Sequence, residues 1–545
     1  MKLVIVGGVA GGASAAARMR RLDEKAEIVL FERGEYVSFA NCGLPYHMGG
    51  VIADREQLLV MPPERFKGRL AVDLRLRHEV VAIDRAAHTV RAVNLATGEA
   101  STETYDKLLL ATGSAPVRPP VAGAGDPDVL TLWTMADMDA IKARAEADVK
   151  RAVVVGGGFI GLEAAENLRR RGVDVALVEM LPQVLPNLDP EMAFWLHGEL
   201  DANGVSLRLG ETVTGFVRDG DNRLGVSLKS GETLPAELVV LSVGVRPNAA
   251  LAREAGLSVG ERGGIVTDGA MRTSDPDIYA VGDAVQVLDP VLKVPTQIPL
   301  AGPANRQGRL AADAMAGLPV QPYGGTWGAS IVKVFGLTAA SVGLSEKALR
   351  RAGAAFEKIY LHPFSHATYY PGAEMMHLKL LFARDGRLLG AQIVGREGVD
   401  KRIDVLSTAM QAGLRVSDLQ RLELAYAPPF SSAKDPVNFA GYVASNVLGG
   451  ETRPAYADAL PQGALLLDVR EPSECERGML PGAVPVPLGQ LRKRLGELPR
   501  GRTVVAYCAV GLRGYLAERI LRQAGFDARN LSGGITTWRS FQAGR

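Results

Sequence analysis

The 545-residue sequence predicts an α/β protein of about three to five domains, on three observations. A strand, a glycine-rich turn and a helix open the chain, and the same arrangement returns near residue 151. From about 325 to 445, strands and helices continue without such a turn. The stretch Gly449-Gly450-Glu451-Thr452-Arg453-Pro454 then reads as a linker. Behind it lies a compact segment of roughly a hundred residues with alternating strand and helix signals. The expectation is three intertwined α/β layers followed by a separate small α/β domain.

Bulk composition narrows the function classes. Apolar residues make up 47% and charged residues 22%, as in an ordinary globular protein. Lys and Arg number 62 against 60 Asp and Glu, a balance that argues against a nucleic-acid protein working through bulk charge. No apolar run approaches a membrane span. The opening Met1-Lys2-Leu3-Val4-Ile5-Val6 reads straight into a strand rather than into an export signal. Cys42, Cys475 and Cys508 are an odd, sparse set without a CxxC, so no disulfide framework is expected. A reducing cytoplasm is the expected location, with neither membrane nor nucleic acid as a partner.

The first turn is Gly7-Gly8-Val9-Ala10-Gly11-Gly12-Ala13, between an apolar strand and an Ala-rich helix. In a GxGxxG register Gly7 and Gly12 fit, while Val9 takes the middle position that normally lets the backbone approach a pyrophosphate. Gly8 and Gly11 are expected to supply that room instead. The next strand, Ile28-Val29-Leu30-Phe31, ends in Glu32, placed to hydrogen-bond a ribose hydroxyl.

The second turn is cleaner. Gly156, Gly158 and Gly161 satisfy GxGxxG after Val153-Val154-Val155, and Phe159 and Ile160 open the helix whose N-terminus can hold the pyrophosphate. The following strand ends in Glu179, a carboxylate that favours a free 2′-hydroxyl and therefore NADH, with NADPH as the alternative. Arg169, Arg170 and Arg171 read as a solvated helix face rather than a phosphate site.

Two Rossmann-like nucleotide folds in one chain imply one nucleotide as donor and one as bound relay. Thr112 and Gly113 close the first unit, in Leu110-Ala111-Thr112-Gly113, and Gly244 joins the glycines assigned to nucleotide contact. The string Thr273-Ser274-Asp275-Pro276-Asp277-Ile278-Tyr279-Ala280-Val281-Gly282-Asp283 resembles the second FAD motif of two-dinucleotide flavoproteins. That resemblance assigns Gly282 and Asp283 to the flavin's ribitol side, FAD to the first site and NAD(P)H to the site at Gly156. It implies a discontinuous FAD domain over 1–115 and 245–322 and an NAD(P)H domain over 116–244. A dimerisation domain over 323–449 and a last domain over 455–545 complete the chain. No metal is expected.

Where many such flavoproteins carry CxxxxC, this chain reads Ser38-Phe39-Ala40-Asn41-Cys42-Gly43-Leu44-Pro45-Tyr46, with His47 in place of a second cysteine. Cys42 cannot form a disulfide with a close neighbour, but its thiolate can attack a substrate disulfide or persulfide. A loop cysteine beside a helix N-terminus has a route to a lowered pKa. The string is similar to that of the single-cysteine coenzyme A-disulfide reductases and NADH-dependent persulfide reductases, from Met1 to about Gly450, including the GxVAGG form of the first turn.

This resemblance implies that Ser38 and Asn41 lie beside the reacting sulfur, and that Ser14, Arg18 and Arg21 line a coenzyme A channel. By their spacing alone, Arg18 and Arg21 share one helix face and could meet phosphates. In Tyr426-Ala427-Pro428-Pro429-Phe430-Ser431-Ser432-Ala433-Lys434-Asp435-Pro436, Tyr426 inherits a role in the other subunit's active site and Lys434 a coenzyme A contact. A second tyrosine is Tyr369 or Tyr370, left open. A homodimer is implied. Asn305 stands where some members have a coenzyme A-contacting histidine.

From about Tyr456 the character changes. The strand Val504-Val505-Ala506-Tyr507 ends at Cys508-Ala509-Val510-Gly511-Leu512-Arg513-Gly514, before a helix. Backbone N–H groups and a helix dipole at such a loop stabilise a thiolate or persulfide anion, and Arg513 adds positive charge. With Leu531-Ser532-Gly533-Gly534-Ile535 and Trp538, the segment resembles a rhodanese domain, which matches Cys508 to a sulfur carrier. Cys475 reads as a packing residue. The expected activity is FAD-dependent, NADH-driven reduction of coenzyme A persulfide or a related small-thiol persulfide through Cys42. Coenzyme A-disulfide reduction is the close alternative, and an NADH oxidase or peroxidase the more distant one.

Overall fold

The computed structural model describes residues 1–147 and 149–542. The chain forms two compact units, Met1–Val178 with Glu211–Gly328, and Glu179–Gly210 with Ala329–Arg545.

In the first unit a parallel sheet runs in the order Ile278–Ala280, Lys107–Leu110, Lys2–Val6, Glu27–Glu32, Asp73–Leu76. The inner strands are apolar on both faces, as a sheet covered on both sides requires, and Leu3, Ile5, Leu30 and Leu109 are fully buried, whereas the edge strand Asp73–Leu76 is half-exposed. The register pairs Val6 with both Phe31 and Leu110, and Leu110 with Ala280. The C-terminal ends of four segments far apart in sequence therefore meet at one edge. The helix Ala10–Leu22 packs on Ala301–Met315 so closely that a Cβ on Gly308 would lie 2.2 Å from the Gly11 carbonyl oxygen.

A second parallel sheet places Asp174–Glu179, Arg151–Val155, Leu238–Leu241 and Val129–Thr131 side by side, with its own buried core. Three-stranded antiparallel ribbons over His78–Thr104 and Val213–Ala236 complete the unit. The last strand of the first sheet comes from the chain beyond the second, so the nucleotide folds are nested.

The second unit holds an antiparallel sheet, Ser330–Val334, Leu337–Gly343, Leu388–Gly395, His377–Phe382, Glu357–Leu361, with the helix Val399–Gln411 against it. A parallel sheet follows in the order Pro454–Ala455, Ala528–Leu531, Val504–Tyr507, Leu465–Asp468, Val484–Pro485. Here Lys379 is fully buried, its Nζ 2.8 Å from Asp189, 2.5 Å from Glu191 and 2.7 Å from Glu346. These three carboxylates are close enough together to hold a metal ion, but they enclose the lysine ammonium. Lys358 extends the network from Glu346 to Asp458. The Tyr360 hydroxyl donates to Glu191, and its backbone N–H donates to the Ser532 hydroxyl. His362 bonds Thr537 through Nε2 and His377 through Nδ1, both at 2.8 Å. The C-terminal sheet is thus anchored to the antiparallel one by buried polar contacts, each with a partner.

Candidate active site

The first nucleotide turn is shaped by sterics. Gly7 adopts φ +100°, and a Cβ there would lie 2.2 Å from the Ala111 carbonyl oxygen. A Cβ on Gly12 would lie 1.9 Å from the Gly7 oxygen. Gly8 and Gly11 face the protein's own side chains. Their Cβ directions point at Val37 with Leu30, and at Val281, all side chains of the protein. They let the turn pack on its own core. Glu32 lies at this turn, accepting the Gly8 N–H at 2.8 Å and the Gly34 N–H at 2.7 Å. The helix beginning at Ala10 has no side-chain cap, and the first N–H groups of a helix have no partner within it.

At the adjoining strand ends, Thr112 and Asn248 exchange hydrogen bonds of 2.7 and 2.8 Å. Gly113 faces open space. Asp283, next to Gly282, accepts the Ser114 hydroxyl at 2.8 Å, and burial raises its pKa. An uncapped helix, an acidic strand end and a half-buried carboxylate on one sheet edge fit a dinucleotide such as FAD.

The second turn repeats the lock. Gly156 adopts φ +104°, and a Cβ on Gly161 would lie 1.9 Å from its oxygen. Gly158 and Gly244 face open space, which is the close approach a pyrophosphate needs at the middle glycine. Phe159 and Ile160, half-buried, start the helix Phe159–Arg170. Arg169 pairs with Asp174, Arg170 with Glu166, and Arg171 with Glu146 and the Met48 carbonyl. All three arginines therefore have protein partners. Glu179 is buried and accepts the Leu181 N–H at 2.8 Å.

Cys42 lies in the tight turn Asn41–Gly43, just before the short helix Leu44–Met48. That helix is clamped. The Tyr46 hydroxyl donates to Glu163 at 3.1 Å. Gly49 presses on Asn167, whose Oδ1 would lie 2.0 Å from a Cβ there. His47 is 1% exposed. Its Nδ1 lies 2.7 Å from the Ile52 carbonyl and its Nε2 2.9 Å from Lys142 Nζ, so the nitrogen facing lysine accepts. The residue in place of a second cysteine is thus a structural link. Asn41, expected beside the sulfur, donates its amide to the Trp133 carbonyl at 2.7 Å. Ser38 sits at φ +50° and donates its N–H to the Gly8 carbonyl, tying this loop to the first turn.

The expected lowering of the Cys42 pKa is not found. Cys42 is exposed by area, yet its thiol pKa is raised, first by burial of the sulfur among protein atoms, then by the Glu163 and Asp283 carboxylates. The helix behind it spans five residues, too short to outweigh two anionic neighbours. Glu163 itself is pushed up to about 7, by burial first and by Glu166, against the lowering effect of Tyr46. Neither Tyr46 nor Glu163 is among the site residues read from sequence. Glu163 follows the second glycine turn directly, but nothing in its string points to Cys42.

Ser14 donates to Asn305. Arg18 is held by Asp313 at 2.6 Å, which offsets its charge, and Arg21 is exposed.

In the second unit the hydroxyls of Tyr369 and Tyr426 lie 2.6 Å apart. Tyr370 instead stands edge-on to His366. Arg402, 1% exposed, holds both tyrosine loops through the Ser365 carbonyl at 2.8 Å and the Ser431 hydroxyl at 3.1 Å. Lys434 is exposed beside buried Asp435.

Cys508 is 1% exposed and accepts the Gly511 N–H at 3.2 Å, at the start of the helix Leu512–Gln523. The Ser532–Ile535 turn closes over it, with the Ile535 N–H on the Cys508 carbonyl. Arg513 reaches Cys508, but both arms of its guanidinium bind Glu474 at 2.7 Å, so its charge is shared rather than free. Cys475 is half-buried, its thiol pKa raised by burial and by Asp468.

Residues 1–308 match the pyridine nucleotide-disulphide oxidoreductase family, 329–436 that family's dimerisation domain and 453–541 the rhodanese-like domain. The coenzyme A disulfide reductase of Staphylococcus haemolyticus is 38% identical over 453 residues, 82% of this chain and all of that protein. The reduced CoADR-RHD of Bacillus anthracis superposes with TM-score 0.97 at 45% identity, over 100% of this chain and 98% of that one. The NAD-dependent persulfide reductase of A. fulgidus gives 0.93 at 38% identity, over 99% and 100%. No helix among the described residues is long and apolar enough to cross a membrane.

Proposed function

Because the chain belongs to the pyridine nucleotide-disulphide oxidoreductases, we propose that it uses NADH to reduce coenzyme A persulfide or a related small-thiol persulfide at Cys42, with Cys508 as a sulfur carrier. One observation carries this reading. Cys42 is the single cysteine of its unit, and the second unit adds a rhodanese-like domain that keeps its loop cysteine. A sulfane-sulfur carrier has no obvious use in plain disulfide reduction. The relatives' names, coenzyme A disulfide reductase and NAD-dependent persulfide reductase, support the reaction class.

The Gly7–Gly12 turn and Asp283 would hold FAD, which would supply the two-electron path from NADH to sulfur. The protein's part is to hold Cys42 on a clamped turn, where its thiolate attacks the outer sulfur of R–S–SH. The S–S bond breaks, R–S⁻ leaves and Cys42–S–SH forms. Two electrons and one proton return Cys42–S⁻ and release H₂S. With R–S–S–R the same attack gives Cys42–S–S–R, which is the coenzyme A-disulfide alternative.

On this reading the FAD domain runs over 1–115 and 245–322, the NAD(P)H domain over 116–244, the dimerisation domain over 323–449 and the rhodanese domain over 455–545. Exposed Tyr369, Tyr426 and Phe430 in the dimerisation segment support a homodimer whose partner completes each site. Arg18, Arg21 and Lys434 are the cations offered to coenzyme A phosphates. Three free thiols fit a reducing cytoplasm.

Steady-state NADH oxidation with coenzyme A persulfide, coenzyme A disulfide or hydrogen peroxide, on wild type, Cys42→Ser and Cys508→Ser, tests this. Persulfide turnover should vanish in Cys42→Ser and persist fully or partly in Cys508→Ser. If only the disulfide gives rapid turnover, the persulfide reading fails. Rapid peroxide turnover would favour the oxidase or peroxidase.

A further inference from the structure

We propose that the Cys508 loop takes its sulfur from an organic persulfide, R–S–SH, and discriminates against a dianionic donor such as thiosulfate, with Glu474 as the residue that sets this choice. The inference rests on the reading of Cys508 as a sulfur carrier and adds the class of donor.

The loop has one cation, and its charge is already matched. Cys508 follows the strand Val504–Tyr507, and its sulfur accepts the Gly511 N–H at 3.2 Å. The helix Leu512–Gln523 starts here without a side-chain cap, and the first N–H groups of a helix have no partner within it. Such a cradle suits the single negative charge of a thiolate or of a persulfide anion. Further negative charge needs a cation. Arg513 is the cation of the Cys508–Gly514 loop and hydrogen-bonds the Cys508 sulfur. Its two terminal nitrogens, however, each donate to an oxygen of Glu474 at 2.7 Å. Arg513 in turn holds the Glu474 pKa at about 2, so this carboxylate is charged throughout the neutral range. Arg470 lies just beyond the strand Leu465–Asp468, which pairs Asp468 with Tyr507. It is likewise bound to both oxygens of Asp468, at 2.9 and 2.6 Å. The other loop side chains, Ala509, Val510 and Leu512, are apolar and offer a sulfonate no hydrogen bond.

The two donors differ in the charge the site must hold. Cys508–S⁻ + R–S–SH gives Cys508–S–SH + R–S⁻. The donor's S–S bond breaks, its outer sulfur joins Cys508 with its proton, and the electron pair leaves on R–S⁻. Cys508–S⁻ + S–SO₃²⁻ gives Cys508–S–S⁻ + SO₃²⁻. This second transfer brings a dianion up to a thiolate and beside Glu474. Like charges repel more strongly in a partly buried site than in bulk water, and Arg513 is already neutralised. A persulfide brings at most one charge to the reacting sulfur, and its R group can stay outside the loop.

The test is thiocyanate formation from cyanide by the FAD-loaded, full-length enzyme without NADH. The donors are thiosulfate and the persulfides of coenzyme A and glutathione, and Cys508→Ser gives the rate to subtract. Wild type should use a persulfide with kcat/KM about a hundredfold above that for thiosulfate. Glu474→Gln keeps an acceptor for Arg513 and removes the charge that cancels it. It should raise kcat/KM for thiosulfate about tenfold, change that for persulfide by less than about twofold, and lose the gain as salt rises toward about 1 M. Glu474→Asp keeps the charge and should retain the wild-type ratio. Equal use of thiosulfate and persulfide by wild type, or an unchanged ratio in Glu474→Gln, would overturn the proposal, the first without any variant having to fold. Both of those outcomes leave Cys508 a sulfur carrier. Transfer from no donor above the Cys508→Ser rate would instead overturn the carrier reading, and the proposal with it.

Discussion

The hydroxyls of Tyr369 and Tyr426 share a 2.6 Å hydrogen bond across 57 residues of sequence, while Tyr370 turns to His366. The bond raises the Tyr426 phenol pKa, which suits a proton donor better than a base. Tyr369→Phe and Tyr426→Phe should each lower turnover by about tenfold or more, and Tyr370→Phe by less than about twofold. NADH reduction of the bound flavin in a stopped-flow half-reaction should stay unchanged in all three. Loss of turnover in Tyr370→Phe alone would assign the role to the wrong tyrosine here.

Phe430 is 71% exposed in the loop that follows Tyr426. An exposed aromatic side chain on a segment that matches a dimerisation domain is a candidate interface anchor. Phe430→Asp should shift the enzyme toward monomer in sedimentation velocity and lose activity as it does so. A variant that stays dimeric would remove this face from the interface.

Lys379 is buried with three carboxylates, so removing its charge leaves them uncompensated. Lys379→Met should destabilise the second unit by about 3–5 kcal/mol, seen as a lower transition in calorimetry. Burial alone would raise the Glu346 pKa, but Lys379 and Lys358 hold it at about 2, below its unfolded value. Its contribution is therefore complete above about pH 5 and is lost as pH falls toward about 2. The same contribution should be absent at every pH in Glu346→Gln.

Glu179 ends the strand of the second nucleotide fold. A carboxylate at this strand end can accept a ribose 2′-hydroxyl and would repel a 2′-phosphate. Glu179→Ala should raise the KM for NADH about tenfold and narrow the NADH preference over NADPH. An unchanged ratio of kcat/KM for the two nucleotides would place the selecting group elsewhere.

By itself the sequence determined the two nucleotide turns, the FAD strings, lone Cys42 and the Cys508 loop. Each is a local arrangement whose chemistry demands particular residues at short spacing: glycines where a Cβ would strike a backbone oxygen, an acid at a strand end, a thiol before a helix. Only the tertiary structure decided what those residues face. Asn41 turned to Trp133 and Arg18 to Asp313, 92 and 295 residues away. Gly8 and Gly11 face packed side chains, and Tyr369 was separated from its neighbour. The Cys42 pKa reversed its expected direction, because the field at a sulfur sums charges from every segment that folds around it. Glu163, 121 positions further along the chain than Cys42, contributes to that field, and nothing in the local pattern around either residue announces the other.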